Sequence, residues 1–334
     1  MLDLRECARA LVEEGKGILA IDETPAHADS WLASHGIAGG EEMERQFREL
    51  FFATPGVEEY ITGVIMYEGS LSQKANTGET FPKLLRQKGI ISGIKVDQGV
   101  EPFPGSPDES ITNGLLGLPE RLAAFRTEFG TGFTKWRMVV NIDGTRLPTA
   151  QALHENSKRL ASYALEAQKV AMVPIVEPEV LLTGTHSRLR SKEVLHDTLT
   201  VLMGALEDQA VDMSAVILKT SMALSGSESG KKDTPEEVAK DTVDTLLATV
   251  PASIPGIVFL SGGQSTEQAT ENLAAIVRYA KEKNAPWPLT FSYARALQDE
   301  ALTIWGGKEE NLPEAREAFL RRLAIEQKAI TIPI

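Results

Sequence analysis

The sequence predicts an α/β fold: a single (β/α)8 barrel of parallel strands over residues 1–334, with extra helices at its N- and C-terminal ends. Three observations predict it. Short β-branched runs alternate with long stretches of helical period, and that alternation demands parallel strands. There are eight such units with no break in composition between the halves, which favours a closed barrel over an open doubly wound sheet. The length, 334 residues, is large for an ordinary domain but normal for a barrel, whose typical size is about 250 residues.

The elements follow in order. MLDLRECARALVEEG reads as an amphipathic helix. Strand runs are GKGILAID (15–22), ITGVIMY (61–67), ISGIKVD (91–97), FTKWRMVVNI (133–142), VAMVPIVEP (170–178), AVILKT (215–220), GIVFLSG (256–262) and PLTFSYA (288–294). Between them, LPERLAAFRTEF, ALHENSKRLASYALEAQ, EVLHDTLTVLMGALED and EEVAKDTVDTLLATV place apolar residues at i, i+3, i+4 spacing. Thr234 and Glu237 form a capping box with Pro235 at the first helical position. Ser265 and Gln268 form a second box behind the glycine pair of LSGGQS, with a helix from about Thr266. SGSESGKKD (225–233) is the most linker-like piece, yet it falls between a strand and its helix.

Composition bounds function. With 47 acidic and 34 basic residues the formal net charge is −13, which argues against nucleic-acid and membrane-surface binding. An anionic small substrate requires cations concentrated locally. One cysteine, Cys7, forms no intrachain disulfide and fits a reducing compartment. No secretory signal and no apolar run of the ~20 residues that span a bilayer occur. The expectation is a cytoplasmic protein, with an organelle location after loss of a transit peptide left open. The histidines His27, His35, His154, His186 and His196 show no HxxH, HxH or HExxH spacing, and GxGxxG and GxxxxGK[ST] are missing, so neither a metal nor a nucleotide cofactor is expected. His154 and His196 read as helix-surface residues.

The chemistry lies at the strand ends, which in a barrel line the active site. The first strand ends in Asp22-Glu23, and the third carries Lys95 and Asp97. The fourth carries Lys135 and Arg137, the fifth ends in Glu177-Pro178-Glu179, and the sixth ends in Lys219. The seventh ends in Ser261-Gly262-Gly263, and the eighth in Ser292, followed by Arg295. Residues two apart on a strand share a face, so three strands each bring two ionisable groups to one face. Trp136, between Lys135 and Arg137, then faces the helices as core.

AVILKTSM (215–222) poses the sharpest question, since an ammonium at the end of an apolar strand is costly unless paired or deprotonated. Crowded cations and partial burial move a lysine from ~10.4 toward neutrality, and a neutral amine forms a Schiff base with a carbonyl. Lys219 is the candidate nucleophile, with Lys135 supplying nearby positive charge and Glu177 or Glu179 shuttling protons. Gly262 and Gly263, with Arg295 opposite, read either as an anion-binding turn or as a plain tight turn. Asp22 reads either as a cap or salt-bridge partner or as a base for a substrate hydroxyl.

GKGILAIDET, GIKVDQGV, FTKWRMVV, VPIVEPE, ILKTSM, FLSGGQS and LTFSYARALQ, in this order over nearly the whole chain, resemble the class I fructose-bisphosphate aldolases, the Schiff-base, metal-independent family. The resemblance implies a TIM barrel and reversible cleavage of fructose 1,6-bisphosphate to dihydroxyacetone phosphate and glyceraldehyde 3-phosphate. It implies Lys219 as the Schiff-base lysine, Glu177 as acid/base for dehydration and Glu179 as a supporting carboxylate. Asp22, beside Lys135, would take the C4 hydroxyl proton. Ser261, Gly262 and Arg295 would hold the C1 phosphate, and Gly263 and Ser292 would belong to the substrate- and phosphate-binding set. Lys95 would serve the other phosphate, Arg137 would be an accessory cation and Thr24 a hydroxyl contact. The implied partner is a phosphorylated ketose; family members are often tetramers, though no interface is identifiable here.

Two departures stand out. After IDET the family continues with serine, glycine and a Lys-Arg pair that touches substrate. Here the chain reads PAHADSWL, with Ser30 and Trp31 in place of the pair and His27 at a common phosphate-binding serine. Two fewer charges should weaken bisphosphate binding or change how the distal phosphate is held. This motivates the alternative of a Schiff-base aldolase preferring sedoheptulose 1,7-bisphosphate or a ketose monophosphate. The chain also ends AITIPI, without the terminal tyrosine of many members; its last tyrosine is Tyr293. A barrel kept as a scaffold is disfavoured, because unused buried charge is costly.

Overall fold

The computed structural model describes residues 2–331. Its strands are β1 (Gly17–Ile21), β2 (Ile61–Met66), β3 (Ile91–Lys95), β4 (Val100–Phe103), β5 (Ser106–Thr112), β6 (Phe133–Val140), β7 (Val173–Val180), β8 (Ile217–Thr220), β9 (Gly256–Phe259) and β10 (Leu289–Tyr293). Its helices are α1 (Leu4–Leu11), α2 (Pro25–Ser34), α3 (Glu41–Phe52), α4 (Phe81–Gln87), α5 (Leu118–Ala124), α6 (Ala150–Lys169), α7 (Arg188–Asp208), α8 (Pro235–Thr249), α9 (Thr266–Glu282), α10 (Arg295–Trp305) and α11 (Leu312–Thr331). Eight strands close a parallel barrel in the order β1-β10-β9-β8-β7-β6-β3-β2, with β2 returning to β1. All eight expected strands are present. The (β/α)8 expectation is met.

Strand alternation divides the interior into layers. Ile18, Ala20, Ile65, Phe133, Val173, Ile175, Ile217 and Val258 point inward and pack with Cys7, Ala8, Leu11 and Val12 of α1 and the turn after it, which plug one end. The Phe133 ring fills space left by glycine: a Cβ on Gly93 would lie 2.3 Å from it. Outward side chains of the same strands meet the helices. Trp136 is fully buried there, stacked on Tyr163 of α6 at 5.4 Å, as its position between Lys135 and Arg137 predicts.

Four details differ from the sequence reading. Segment 100–112 forms an antiparallel hairpin, β4–β5, outside the barrel. Pro102 and Pro107 interrupt its short strands and only Phe103, Glu109, Ile111 and Thr112 are buried, so no clean alternation marks them; the turn at Pro104-Gly105, with Gly105 at φ +86°, signals it. The pattern over 118–129 gives α5 and then a π-helical turn over Phe125–Phe129. β7 begins later and runs two residues further than expected, so Glu177 and Glu179 lie within the strand, whereas β9 stops at Phe259, before Ser261. Thr234 and Glu237 make the full capping box, but Ser265 makes only half of one, accepting from the Gln268 backbone N–H. His154 and His196 are exposed on α6 and α7. Tyr293 is buried in β10, its hydroxyl donating to the Ala269 carbonyl, while Ile332, Pro333 and Ile334 lie outside the described residues.

Candidate active site

The ionisable side chains form the layer directly above the apolar interior. They come from the same strand faces, one or two positions nearer the C-terminal ends. Lys219 follows Ile217 on β8, Lys135 follows Phe133 on β6, and Glu177 follows Ile175 on β7. All three are buried. The Lys219 Nζ stands 2.9 Å from Glu177 Oε1. The other carboxylate oxygen, Oε2, is 3.1 Å from Lys135 Nζ, and Lys135 reaches Asp22 Oδ2 at 2.7 Å. The result is an alternating chain, Lys219–Glu177–Lys135–Asp22. The cost of an ammonium at the end of an apolar strand is met by a carboxylate on the neighbouring strand, which no sequence neighbour of Lys219 reveals.

The charges set one another. Burial pushes the Glu177 carboxyl up, but Lys135, Lys219 and Arg137 outweigh it and hold it down to about 2. Burial opposes charge on Lys135, yet Asp22, Glu177 and Asp97 prevail and hold it above the ordinary lysine value. Lys135 is therefore a fixed ammonium. Arg137 pairs with Glu179, its Nε donating to Oε2; there too burial is outweighed by carboxylates, Glu179 first. Lys95 Nζ lies 2.7 Å from Asp97 Oδ1.

A cleft of about 720 Å³ opens over the Asp22–Lys135 end of this layer, with Lys219, Glu177 and Glu179 outside its lining. Of the predicted set, Asp22, Thr24, Lys95, Lys135 and Arg137 line it. The Thr24 hydroxyl lies 3.0 Å from His27 Nδ1 at the start of α2 and does not cap that helix.

The remaining predicted residues lie on the β9–β10 side. Ser261, Gly262 and Gly263 form the turn between β9 and α9, with the glycines at φ +59° and +89°, values that suit glycine. Ser292 is buried in β10 with its hydroxyl unpartnered. Arg295, exposed at the start of α10, lies 6.0 Å from the centre of the Trp31 ring, so one residue that replaces the expected basic pair supports a cation beyond the adjacent strand β10. No hydrogen bond joins Arg295 to Ser261 or to Lys219 among the described residues.

Sequence reasoning left Glu23, Tyr67, Glu68, Gln98 and Arg121 out of the site, although all line the cleft. Glu23 had a signal, its place beside Asp22. Arg121 had none, since it lies inside an amphipathic helical pattern. Among the described residues no three His, Cys, Asp or Glu side chains are grouped to hold a metal ion.

Fold and site together define a (β/α)8 barrel with a buried lysine–carboxylate chain at the C-terminal ends of its strands, the face that holds the active site in enzymes of this fold. The chain belongs to the class-I fructose-bisphosphate aldolase family: the family model "Glycolytic: Fructose-bisphosphate aldolase class-I" matches residues 3–332. It is 45% identical to the fructose-bisphosphate aldolase of Drosophila melanogaster, over 96% of this chain and 88% of that one. It is 44% identical to fructose-bisphosphate aldolase B of Bos taurus, over 98% and 89% respectively. "Fructose-bisphosphate aldolase 4, cytosolic" of Arabidopsis thaliana is also 44% identical, over 94% of this chain and 79% of its own. Among solved structures, the Plasmodium falciparum fructose-bisphosphate aldolase, in complex with TRAP and a small-molecule inhibitor, matches with TM-score 0.95 and 40% identity, covering 98% of this chain and 93% of that one. The activity is that of an aldehyde-lyase acting on fructose bisphosphate, and the sedoheptulose or monophosphate alternative is not favoured.

Proposed function

We propose that residues 1–334 act as one barrel unit that cleaves fructose 1,6-bisphosphate through a Schiff base on Lys219, without a metal. The observation that carries this reading is the 2.9 Å pair between Lys219 Nζ and Glu177 Oε1. A carboxylate in that place accepts a proton from the ammonium as the amine attacks C2. It returns a proton to the carbinolamine oxygen, which leaves as water. Glu177 is ionised at rest, which suits the first of these steps. The iminium then draws electrons from C3–C4. Asp22 takes the C4 hydroxyl proton, the bond breaks, and glyceraldehyde 3-phosphate leaves the enamine of dihydroxyacetone phosphate on Lys219. Lys135, fixed as an ammonium between Asp22 and Glu177, keeps both carboxylates aligned.

Glu179 holds Arg137 over the cleft. Ser261, Gly262, Gly263, Ser292 and Arg295 receive the C1 phosphate, a role supported by the left-handed glycines and the unpartnered Ser292 hydroxyl. Lys95, Arg137 and Thr24 face the other end of the sugar. The proposed setting is cytoplasmic. The sedoheptulose and monophosphate alternative has no observation of its own. Borohydride reduction in the presence of dihydroxyacetone phosphate tests the reading: a substrate-derived mass on Lys219, absent in Lys219→Ala and insensitive to EDTA, supports it. Trapping elsewhere, or loss of activity on chelation, overturns it.

A further inference from the structure

Glu23 is a carboxyl group the mechanism above does not use. It follows Asp22 at the end of β1 and lines the cleft, with Oε2 buried and without a hydrogen-bond partner. Its neighbours' charges are committed elsewhere. On its own segment, Asp22 is bound to Lys135. On α3, Arg48 lies 3.3 Å from the Glu44 carboxylate and reaches Glu23 only at the backbone carbonyl, at 3.5 Å. On β6, Lys135 is occupied by Asp22 and Glu177, and Arg137 by Glu179. Across the cleft, Lys95 is held by Asp97, and Arg121 donates to the Val96 and Gly114 carbonyls; His27 and Glu68 complete the charged or titratable lining with Tyr67.

Burial first, and the Asp22 charge second, push the Glu23 carboxyl up to about 7, against its own backbone N–H, Arg48 and Lys135. Below neutrality the Glu23 carboxyl therefore holds a proton, and its Oε2 has no hydrogen-bond partner among the described residues.

We propose that Glu23, in its protonated form, donates a hydrogen bond to the phosphate at the C6 end of the sugar and so helps select bisphosphates over monophosphates. The assignment rests on the Lys219 reading above. With C2 on Lys219 and the C4 hydroxyl at Asp22, the remaining carbons run on into the part of the cleft that Glu23 lines. A neutral acid there binds a phosphate oxygen, whereas an ionised one repels it.

The test compares Glu23→Gln and Glu23→Ala with the wild type, using fructose 1,6-bisphosphate and fructose 1-phosphate at about pH 6 and about pH 8.5, either side of the value near 7. The ratio of kcat/KM for the two substrates should fall roughly 10- to 100-fold in Glu23→Ala, the size of a hydrogen bond to a charged group. Glu23→Gln keeps a donor that does not titrate. It should hold the ratio within about threefold at the lower pH and abolish the alkaline decline of the wild type. Equal ratios in all three proteins, or an alkaline decline that survives in Glu23→Gln, overturn the proposal. Thermal unfolding gives a second readout. The wild type should lose Tm relative to Glu23→Gln as pH rises from about 4.5 to about 7, because the folded state then holds a proton the unfolded chain has lost; no such loss also overturns it. Borohydride trapping in the wild type separates the two readings: if Lys219 is not labelled, the Schiff-base assignment fails. If it is labelled and the ratios do not move, only the role of Glu23 fails.

Discussion

The two sides of the barrel mouth are built on opposite plans. At the ends of β1, β6, β7 and β8 the polar groups satisfy one another: Asp22, Lys135, Glu177 and Lys219 form one chain of ion pairs, and Arg137 closes on Glu179. On the β9 and β10 side no such chain of ion pairs forms among the described residues. Ser292 keeps a buried hydroxyl without a partner, two glycines turn through the left-handed region, and Arg295 rests on an indole rather than on a carboxylate. The paired side is electrically balanced before substrate arrives, so protons can move along it without net charge appearing in a low-dielectric site. In the proposed mechanism the substrate phosphate completes the unsatisfied side. Proton traffic and anion capture thus sit, in that mechanism, on separate strands of one rim.

Substitutions can break this contrast, and their expected effects are unequal. Lys219→Ala should abolish trapping and lower kcat by roughly 10³-fold or more, since no other amine takes its place as nucleophile; rapid-quench turnover measures it. Glu177→Gln should slow single-turnover Schiff-base formation roughly 10²- to 10⁴-fold, the range for a lost general acid–base. The same variant sharpens the electrostatics. The Glu177 value is depressed to about 2, so its contribution to stability is complete above the ordinary value of 4.5 and is lost as pH falls toward 2. Acid denaturation between those limits should therefore be flatter in Glu177→Gln. Lys135→Met leaves two carboxylates facing each other without their cation and should cost about 3–5 kcal/mol by denaturant titration. On the unsatisfied side effects are smaller. Trp31→Ala should raise KM a few-fold with kcat preserved, as the support it gives Arg295 is worth about 0.5–1 kcal/mol at an exposed site. A large fall in kcat there would mean that the two sides are not separate.

The fold was legible because barrel strands are short, apolar and regularly interrupted, and a period of two placed Lys135 and Arg137 together and Trp136 behind them. The hairpin was not, because its strands are short, interrupted by Pro102 and Pro107 and only partly buried. The candidate site was legible as a set of strand-end charges. Which charge meets which was not, because pairing depends on inter-strand register: Arg137 lies opposite Glu177 in the ladder yet binds Glu179. Nor could sequence order place Trp31, on the first helix of the barrel proper, beneath Arg295 after the last strand. The expectation of weaker bisphosphate binding from the loss of two basic residues foresaw the missing charge but not the ring that supports Arg295.

The plug formed by α1 sets a further condition. Leu11 and Val12 close the floor two layers beneath Lys219, and the Phe133 ring is the stopper above them. Ile175, Ile217 and Val258 pack with that floor beneath the amine's own layer, so a leak from below would hydrate the ion-pair chain from its dry side. Trimming the first dozen residues would leave the eight-stranded ring in outline yet wet its interior. Enzymatic turnover would then fail well before circular dichroism registered any damage.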